Sequence, residues 1–240
     1  MGYLWAMRAV FADCHVGQRP GDEEAFLEAL ELACRRGARA ISLLGDVFHY
    51  FVARPNFETP VIRRFLDRAQ ELASRDIRVT YVEGNRDFFL RGSYAERYFD
   101  RIVDEETFQA GPHRFLLTHG DRLNERDYPY RFWRFLSKNA VSRAAAGLVP
   151  RGVANRFVSR VEARLHRSNF KHKTRLPVEM IRSFAERRLV EGIDVILLGH
   201  FHKSWVEQIG PCRVEILPAF AEERRWMEVG DHGETSLASL

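Results

Sequence analysis

Residues 195–202 read VILLGHFH: four aliphatic residues, a glycine, and then His200 and His202 separated only by Phe201. A short, wholly apolar run that stops at glycine has the signature of a strand buried on both faces. Imidazoles set just beyond it would stand at the strand's carboxyl end, where ligands collect in α/β sheets. The same punctuation recurs along the chain. Arg8–Ala12 runs into Asp13-Cys14-His15, and Ala40–Leu44 into Gly45-Asp46. Residues 77–82 run into Gly84-Asn85, and residues 115–118 into His119-Gly120-Asp121. A lone Gly-Asp is ordinarily a turn and a lone histidine ordinarily packs. Five strand exits bearing five sets of donor atoms are a different matter.

Between these strands lie amphipathic helices. Residues 23–36 place Phe26, Leu27, Leu30 and Cys34 on one face. Residues 60–75 align Ile62, Phe65, Leu66, Ala69 and Leu72. The strand–loop–helix alternation predicts an α/β body with a largely buried sheet. After residue 121 the pattern changes to helical patches over residues 130–139, 153–166 and 178–190, punctuated by Pro150, Gly152 and Pro177. This stretch, residues 122–192, reads as a cap inserted into a single domain spanning residues 1–240. Residues 204–209, 212–217 and 225–229 then look like a β-meander, with Gly210-Pro211 as its first turn. The last ten residues read as a frayed end.

At 240 residues, with 45% hydrophobic and 29% charged side chains, the chain has the composition of a globular protein with a sizeable core. No apolar run approaches the roughly 18 residues of a membrane-spanning helix. The opening residues lack the features of a signal peptide. Cys14, Cys34 and Cys212 cannot all pair and show no CxxC spacing, so a reducing, cytosolic setting is expected. The formal net charge of +4 conceals an asymmetry. Residues 122–175 carry 14 Lys and Arg against 3 Asp and Glu, which leaves the remainder of the chain net acidic. Such a segment suits an anionic partner.

Carboxylate, imidazole and amide oxygen together suit Mn²⁺, Mg²⁺, Fe²⁺ or Zn²⁺, and their supply here fits two ions better than one. His200 and His202 either serve different ions or share one. Two adjacent cations bind phosphoryl oxygens and lower the pKa of a shared water, so reaction at phosphorus is the first expectation and ester or amide hydrolysis the second. Asp46 is the natural carboxylate to sit between the cations. Asp121 reads either as an orienting group or as a turn residue. A metal-bearing scaffold without catalysis is the alternative of a different class.

DCH at residues 13–15, GDVFH at 45–49, GNRDF at 84–88, HGD at 119–121 and GHFH at 199–202 resemble, in order, the motif blocks of the calcineurin-like metallophosphoesterases. Within that superfamily the chain is similar to the UDP-2,3-diacylglucosamine diphosphatases. The resemblance implies a sandwich of two mostly buried β-sheets flanked by helices, with a helical cap over the site. It implies hydrolysis of the pyrophosphate of a lipid A precursor, by a metal-bridging hydroxide, to UMP and 2,3-diacylglucosamine 1-phosphate. It also implies Mn²⁺ as the cofactor, and a peripheral position on the cytoplasmic face of the inner membrane. Another nucleotide-linked pyrophosphate or a phosphodiester is the alternative substrate.

Residue by residue, the resemblance gives Asp13, His15 and His202 to the first ion, with Asp46 bridging, and Asn85, His119 and His200 to the second. Arg86 stands where many relatives have a histidine acting on the leaving group. Arginine stays protonated and is a poor acid, but it clamps phosphate oxygens well. A phosphate leaving group needs little protonation, so Arg86 is expected to stabilise charge. Asp46, Asn85, Arg86 and His119 form the expected catalytic set. The chain departs from the family at several points. Cys14 replaces Leu, GDVFHYF replaces GDLFE followed by Trp, and GHFH replaces GHTH, with Phe201 expected to turn away from the metals. LPAFAEE lacks a Gly-Asp-Trp pattern.

The segment YPYRFWRFL at residues 128–136 interleaves aromatics with arginine, and Val153, Phe157, Val161 and Leu165 recur beside Arg156, Arg160, Arg164 and Arg167. Anionic lipid headgroups, simple packing on the domain, and RNA each fit such a pattern. The resemblance favours a lipid-linked UDP-sugar substrate and an anionic inner-membrane surface, with no stable nucleic-acid partner. It makes Asp127, Tyr130, Asn169, Lys171 and Lys173 candidate substrate contacts, together with Asn85, Arg86 and His200.

Overall fold

In the computed structural model of the 240-residue chain, the described residues are 7–124, 127–154, 156 and 176–240. Strand β1 (Arg8–Ala12) shows how the layers arise. Ala9 and Phe11 face one apolar cluster, while Val10 and Ala12 face another. With a side-chain period of two and both faces apolar, the strand must be covered on both sides.

The first sheet has six strands in the order β13-β12-β1-β2-β4-β6. Here β2 is Ala40–Leu44, β4 Arg78–Val82, β6 Arg101–Val103, β12 Arg225–Val229 and β13 Thr235–Ser239. The second has five, in the order β10-β11-β9-β8-β7. Its strands are β7 (Glu105–Ala110), β8 (His113–Thr118), β9 (Val195–Leu198), β10 (Trp205–Ile209) and β11 (Cys212–Ile216). A short parallel pair, β3 (Phe51–Val52) and β5 (Asp87–Phe88), lies apart from both. Val10, Leu44 and Val82 meet Phe115, Leu117, Val195 and Leu197 between the two large sheets. Helices α1 (Asp22–Arg35) and α2 (Pro60–Ser74) cover the outer face of the first sheet. Thr59 caps α2 by accepting the Ile62 N–H, and Pro60 starts it.

On the second sheet's outer face, Ile181, Phe184 and Ala185 of α5 (Val178–Val190) pack on Leu116, Ile196 and Val214. That helix was expected in the cap, yet it forms a layer of the sandwich. Two earlier helices, α3 (Tyr128–Ser137) and α4 (Ala140–Leu148), followed by a further helical turn at residues 151–154, lie in the described part of the insertion. Of the expected patch over residues 153–166, residues 155 and 157–166 lie outside the described residues.

Two further expectations are corrected. The end of the chain is not frayed: β13 pairs antiparallel with β12, from Arg225↔Ser239 to Val229↔Thr235. Nor do the last strands form one meander. β10 and β11 make a hairpin in the second sheet, and a short helix α6 (Phe220–Glu223) carries the chain across to β12 in the first.

Register decides where the polar ends go. Ala12 pairs with Leu44, and Leu44 with Val82, so three neighbouring parallel strands finish level. Thr118 pairs with Leu198 in the other sheet. The loops after all five strands leave from the same end of the sandwich.

Phe11 is the hinge of the outer core. It is fully buried, stacked on Trp226 with centroids 5.5 Å apart and edge-on to Phe26 and Phe220 at 5.7 Å. Phe11→Ala should cost about 3–5 kcal/mol of unfolding free energy. Urea denaturation checks this, and a loss below about 1 kcal/mol would mean the aromatic cluster repacks around the void.

Candidate metal centre

Asp13, His15, Asp46, His200 and His202 all hold positive φ, between 44° and 71°. Only eight non-glycine residues do so among the described residues, so five of the eight stand on these loops. Left-handed backbone is costly for such side chains and gathers where a site over-determines it. Glycine permits the crowding: Gly45 itself is at φ +72°, and a Cβ on Gly84 would lie 2.7 Å from the Asp46 backbone nitrogen.

The donors converge in two groups, each with ligand atoms within 4.8 Å of one another: Asp13, His15 and His202, and Asp13, Asp46 and His119. Asp13 is common to both. In the first group the His15 and His202 Nε2 atoms face each other at 3.2 Å, with Asp13 Oδ1 3.3 Å from His202 Nε2. Asp13 Oδ1 is buried and has no hydrogen-bond partner, whereas Oδ2 accepts the His200 backbone N–H at 2.6 Å. In the second group His119 Nε2 lies 3.6 Å from Asp46 Oδ1 and 3.1 Å from Asn85 Oδ1. Its Nδ1 is 3.1 Å from the Leu44 carbonyl, an acceptor that fixes the proton there and leaves Nε2 to face the carboxylates. The His200 ring packs edge-on against His119, with centroids 5.1 Å apart.

The electrostatics call for positive charge. Burial pushes the Asp46 carboxyl up, against the pull of His119 and Arg86. Burial also acts to raise Asp13, but His202, His119 and His15 outweigh it and hold that carboxyl below the usual range. Burial would depress His119, yet the Asp46 and Asp13 carboxylates raise it to about 9. Burial and the neighbouring His119 lower His200 to about 4, while burial and Arg86 hold His15 well below its ordinary value. An orphaned carboxylate oxygen, facing imidazole nitrogens and a mixed O/N donor set together fit two divalent cations.

Arg86 is buried, with Nε 3.2 Å from Asp46 Oδ2 and Nη1 2.9 Å from His49 Nδ1. Its backbone N–H donates to Asp46 Oδ1 at 2.9 Å. A cavity of about 450 Å³ opens over Asp46, Asn85, Arg86, His200 and His202. Asp127 and Tyr130 line it as well; Asp127 also caps α3 by accepting the Tyr130 N–H at 2.9 Å. Asp121 accepts from the Tyr130 hydroxyl and, at 3.4 Å, from Arg134, so it ties the loop after β8 to α3. Phe201 does not turn wholly away: it lines this cavity, with its ring 5.3 Å from His200, while also packing on the core beneath α5. Asn169, Lys171 and Lys173 lie outside the described residues.

Two groups escaped the sequence reading. Asp87 is fully buried and accepts from the Asp46 N–H (3.0 Å), the Gly84 N–H (2.7 Å) and the Tyr81 hydroxyl (2.8 Å), so it locks two donor loops together. Burial and the charge of Asp46 raise it to about 6. Glu222, on α6, places Oε1 3.0 Å from His202 Nδ1. The motif position of Asp87 was a signal of sorts. Glu222 had none, because it reaches the site only through the crossover after the β10–β11 hairpin.

The family model described as calcineurin-like phosphoesterase matches residues 8–204. A UDP-2,3-diacylglucosamine hydrolase of Chromobacterium violaceum is 28% identical over 197 residues, covering 80% of this chain and 81% of its own. Another from Pseudomonas entomophila is 25% identical over 243 residues, 95% of this chain and 96% of its own. Among solved structures, one titled as a novel archaeal phosphodiesterase shares the fold at TM-score 0.53 and 13% identity, covering 98% of this chain and 99% of that one. The ordered donor loops, the two-sheet sandwich that levels them and the match across residues 8–204 lead to one conclusion: the chain belongs to the calcineurin-like phosphoesterase family.

Proposed function

We propose that this metal-dependent phosphoesterase is a diphosphatase that hydrolyses UDP-2,3-diacylglucosamine to UMP and 2,3-diacylglucosamine 1-phosphate. The observation that carries the reading is the meeting of Asp13 with both His15/His202 and Asp46/His119, in a chain whose relatives repeatedly bear that hydrolase name. Bound there, two divalent cations, Mn²⁺ in our assignment, supply hydroxide near neutral pH and neutralise phosphoryl charge. Asp13, His15 and His202 hold one ion. Asn85, His119 and His200 would hold the other, with Asp46 as the carboxylate set between the two. Arg86 sets a permanent positive charge beside Asp46 and steadies the oxygens of the departing phosphate, which requires no acid. Asn85 and His200 contact the phosphoryl group, and Asp127, Tyr130, Asn169, Lys171 and Lys173 the rest of the substrate.

No described helix is long and apolar enough to cross a membrane. Tyr128, Phe132, Phe135, Val141 and Leu148 are nevertheless exposed on α3 and α4, beside the arginines of the cap. This supports peripheral attachment to an anionic membrane surface, which we place on the cytoplasmic face of the inner membrane. Purified protein incubated with Mn²⁺ and UDP-2,3-diacylglucosamine should release UMP, followed by ³¹P NMR. Rapid turnover of unacylated UDP-sugars with none of the acylated one would overturn the lipid assignment.

Glu222 orients His202 in this scheme: its carboxylate accepts a hydrogen bond from Nδ1–H and turns Nε2 toward Asp13. Glu222→Ala should weaken binding of Mn²⁺ by about 10–100-fold, with Glu222→Gln partly restoring it. Calorimetry on metal-stripped protein reads the effect. Equal affinity in all three proteins would assign Glu222 to packing alone.

A further inference from the structure

Beside the metal centre lies a second and larger cavity, about 830 Å³ in volume. It is bounded by α3, the start of α4 and the loop following β5. Asn124 and Tyr130 line both cavities, so the two adjoin along these residues. Its wall carries six cations, Arg91, Arg122, Arg131, Arg134, Lys138 and Arg143, against one lining carboxylate, Glu83. Asp104 reaches in from outside and is shared by Arg91 (2.8 Å), Arg134 (3.5 Å) and Arg122. Asp121 reaches Arg134 at 3.4 Å, and Glu83 reaches Arg91 at 3.1 Å. Even counting these three acids, the cations outnumber the acids among the described residues. Lys138 Nζ donates to the Gly84 carbonyl at 2.8 Å, and Arg143 to the Arg91 carbonyl at 3.2 Å and the Gly92 carbonyl. Such bonds fix position without cancelling charge, and a guanidinium held by one carboxylate keeps further donors free.

We infer that this cavity binds the nucleoside monophosphate end of the substrate, an assignment that rests on the diphosphatase reading and names the subsite of its uridylyl group. Three features select that ligand. The charge demands an anion. The volume is far beyond a bare phosphate and within the range that holds a nucleotide-sized molecule. The rings of Tyr130, Phe135 and Phe89 on the wall offer faces on which a base can stack. Acyl chains suit it less well than a nucleotide, because alkyl groups cannot answer the cations on this wall. Chains have apolar surface elsewhere on the same helices, at Phe132, Val141 and Leu148. With the base on these rings, the side shared through Asn124 and Tyr130 puts the α-phosphate next to the cavity over the donor loops, and the acylated sugar points the other way.

The test is calorimetric titration of the metal-stripped full chain with UMP, uridine and inorganic phosphate. UMP should bind one per chain, at least tenfold more tightly than either fragment. Arg131→Ala/Arg143→Ala should bind UMP at least tenfold more weakly, with an unchanged melting temperature and unchanged Mn²⁺ affinity. If its melting temperature falls, the milder Arg131→Gln should still weaken UMP severalfold. Phosphate binding as tightly as UMP, UMP binding only when Mn²⁺ is present, or full UMP affinity in the folded variants would each overturn the assignment. UMP bound as described by a protein inert toward UDP-2,3-diacylglucosamine would leave the nucleotide subsite standing and remove the lipid substrate. Turnover of that lipid with no effect of the variants on UMP would do the reverse.

Discussion

Asp46→Asn should reduce phosphoesterase turnover by at least the ~10²–10³-fold that loss of one charge-stabilising group costs, with metal content falling below two ions per chain. The replacement keeps the size of the side chain and removes only its charge, which isolates electrostatics from packing. Asp46 is 2% exposed, and burial already works against its ionisation. What holds it as an anion in this structure is His119 3.6 Å from Oδ1, Arg86 Nε 3.2 Å from Oδ2 and the Arg86 N–H 2.9 Å from Oδ1. An amide keeps one acceptor oxygen: with Oδ1 toward the cations its N–H groups face the Arg86 guanidinium, which accepts no hydrogen bond, and it brings no negative charge to set between two cations. Elemental analysis of the purified variant together with steady-state turnover reads both consequences. Two ions per chain with undiminished turnover would show that Asp13, the carboxylate common to both donor groups, bridges alone.

The sandwich was legible where hydrophobicity alone dictates structure. β1, β2 and β9 are apolar on both faces, and their ends at Asp13, Gly45 and Gly199 need no knowledge of their partners. The stripe on α2 appears in the structure unchanged, with Ile62, Phe65, Leu66, Ala69 and Leu72 all buried. Edge strands were invisible for the complementary reason. β7, EETFQA, and β13, TSLAS, bury few side chains, and it is pairing with β8 and β12 that makes them strands. The assignment of β10–β11 and β12 to different sheets depends on α6 crossing between layers, a tertiary event with no local periodicity. In the site, the donor types could be read from strand endings. The groups that hold them, Asp87 under two loops and Glu222 behind His202, act across 41 and 20 residues of sequence. The large cavity follows the same logic. Most of its cations were visible as an uneven charge distribution, but only the fold brings Arg91 to Arg122 and Arg134 around Asp104.

Arg86→Lys should retain bound metal and lose turnover by about 10²-fold or more, because the arginine performs two tasks that one ammonium cannot share. In the structure its Nε faces Asp46 Oδ2 at 3.2 Å while Nη1 lies 2.9 Å from His49 Nδ1, so the planar fork spans a carboxylate and an imidazole at once. The guanidinium still lines the cavity over the donor loops, where a phosphoryl oxygen would meet it. Lysine supplies the same charge through a single nitrogen. If that nitrogen pairs with Asp46 it abandons the phosphoryl oxygens; if it reaches for them, a buried carboxylate loses its neighbour. The deficit should therefore appear in kcat more than in KM, since charge on the leaving oxygen develops as the bond breaks. A general acid at this position would behave differently: a substrate with a better leaving group would rescue an acid-deficient variant almost fully. Arg86→Lys should remain impaired on such a substrate, because the guanidinium also holds Asp46 and His49, a task that no leaving group replaces. Full rescue would reassign Arg86 to proton transfer, and an unimpaired variant with two bound ions would remove it from the chemistry altogether.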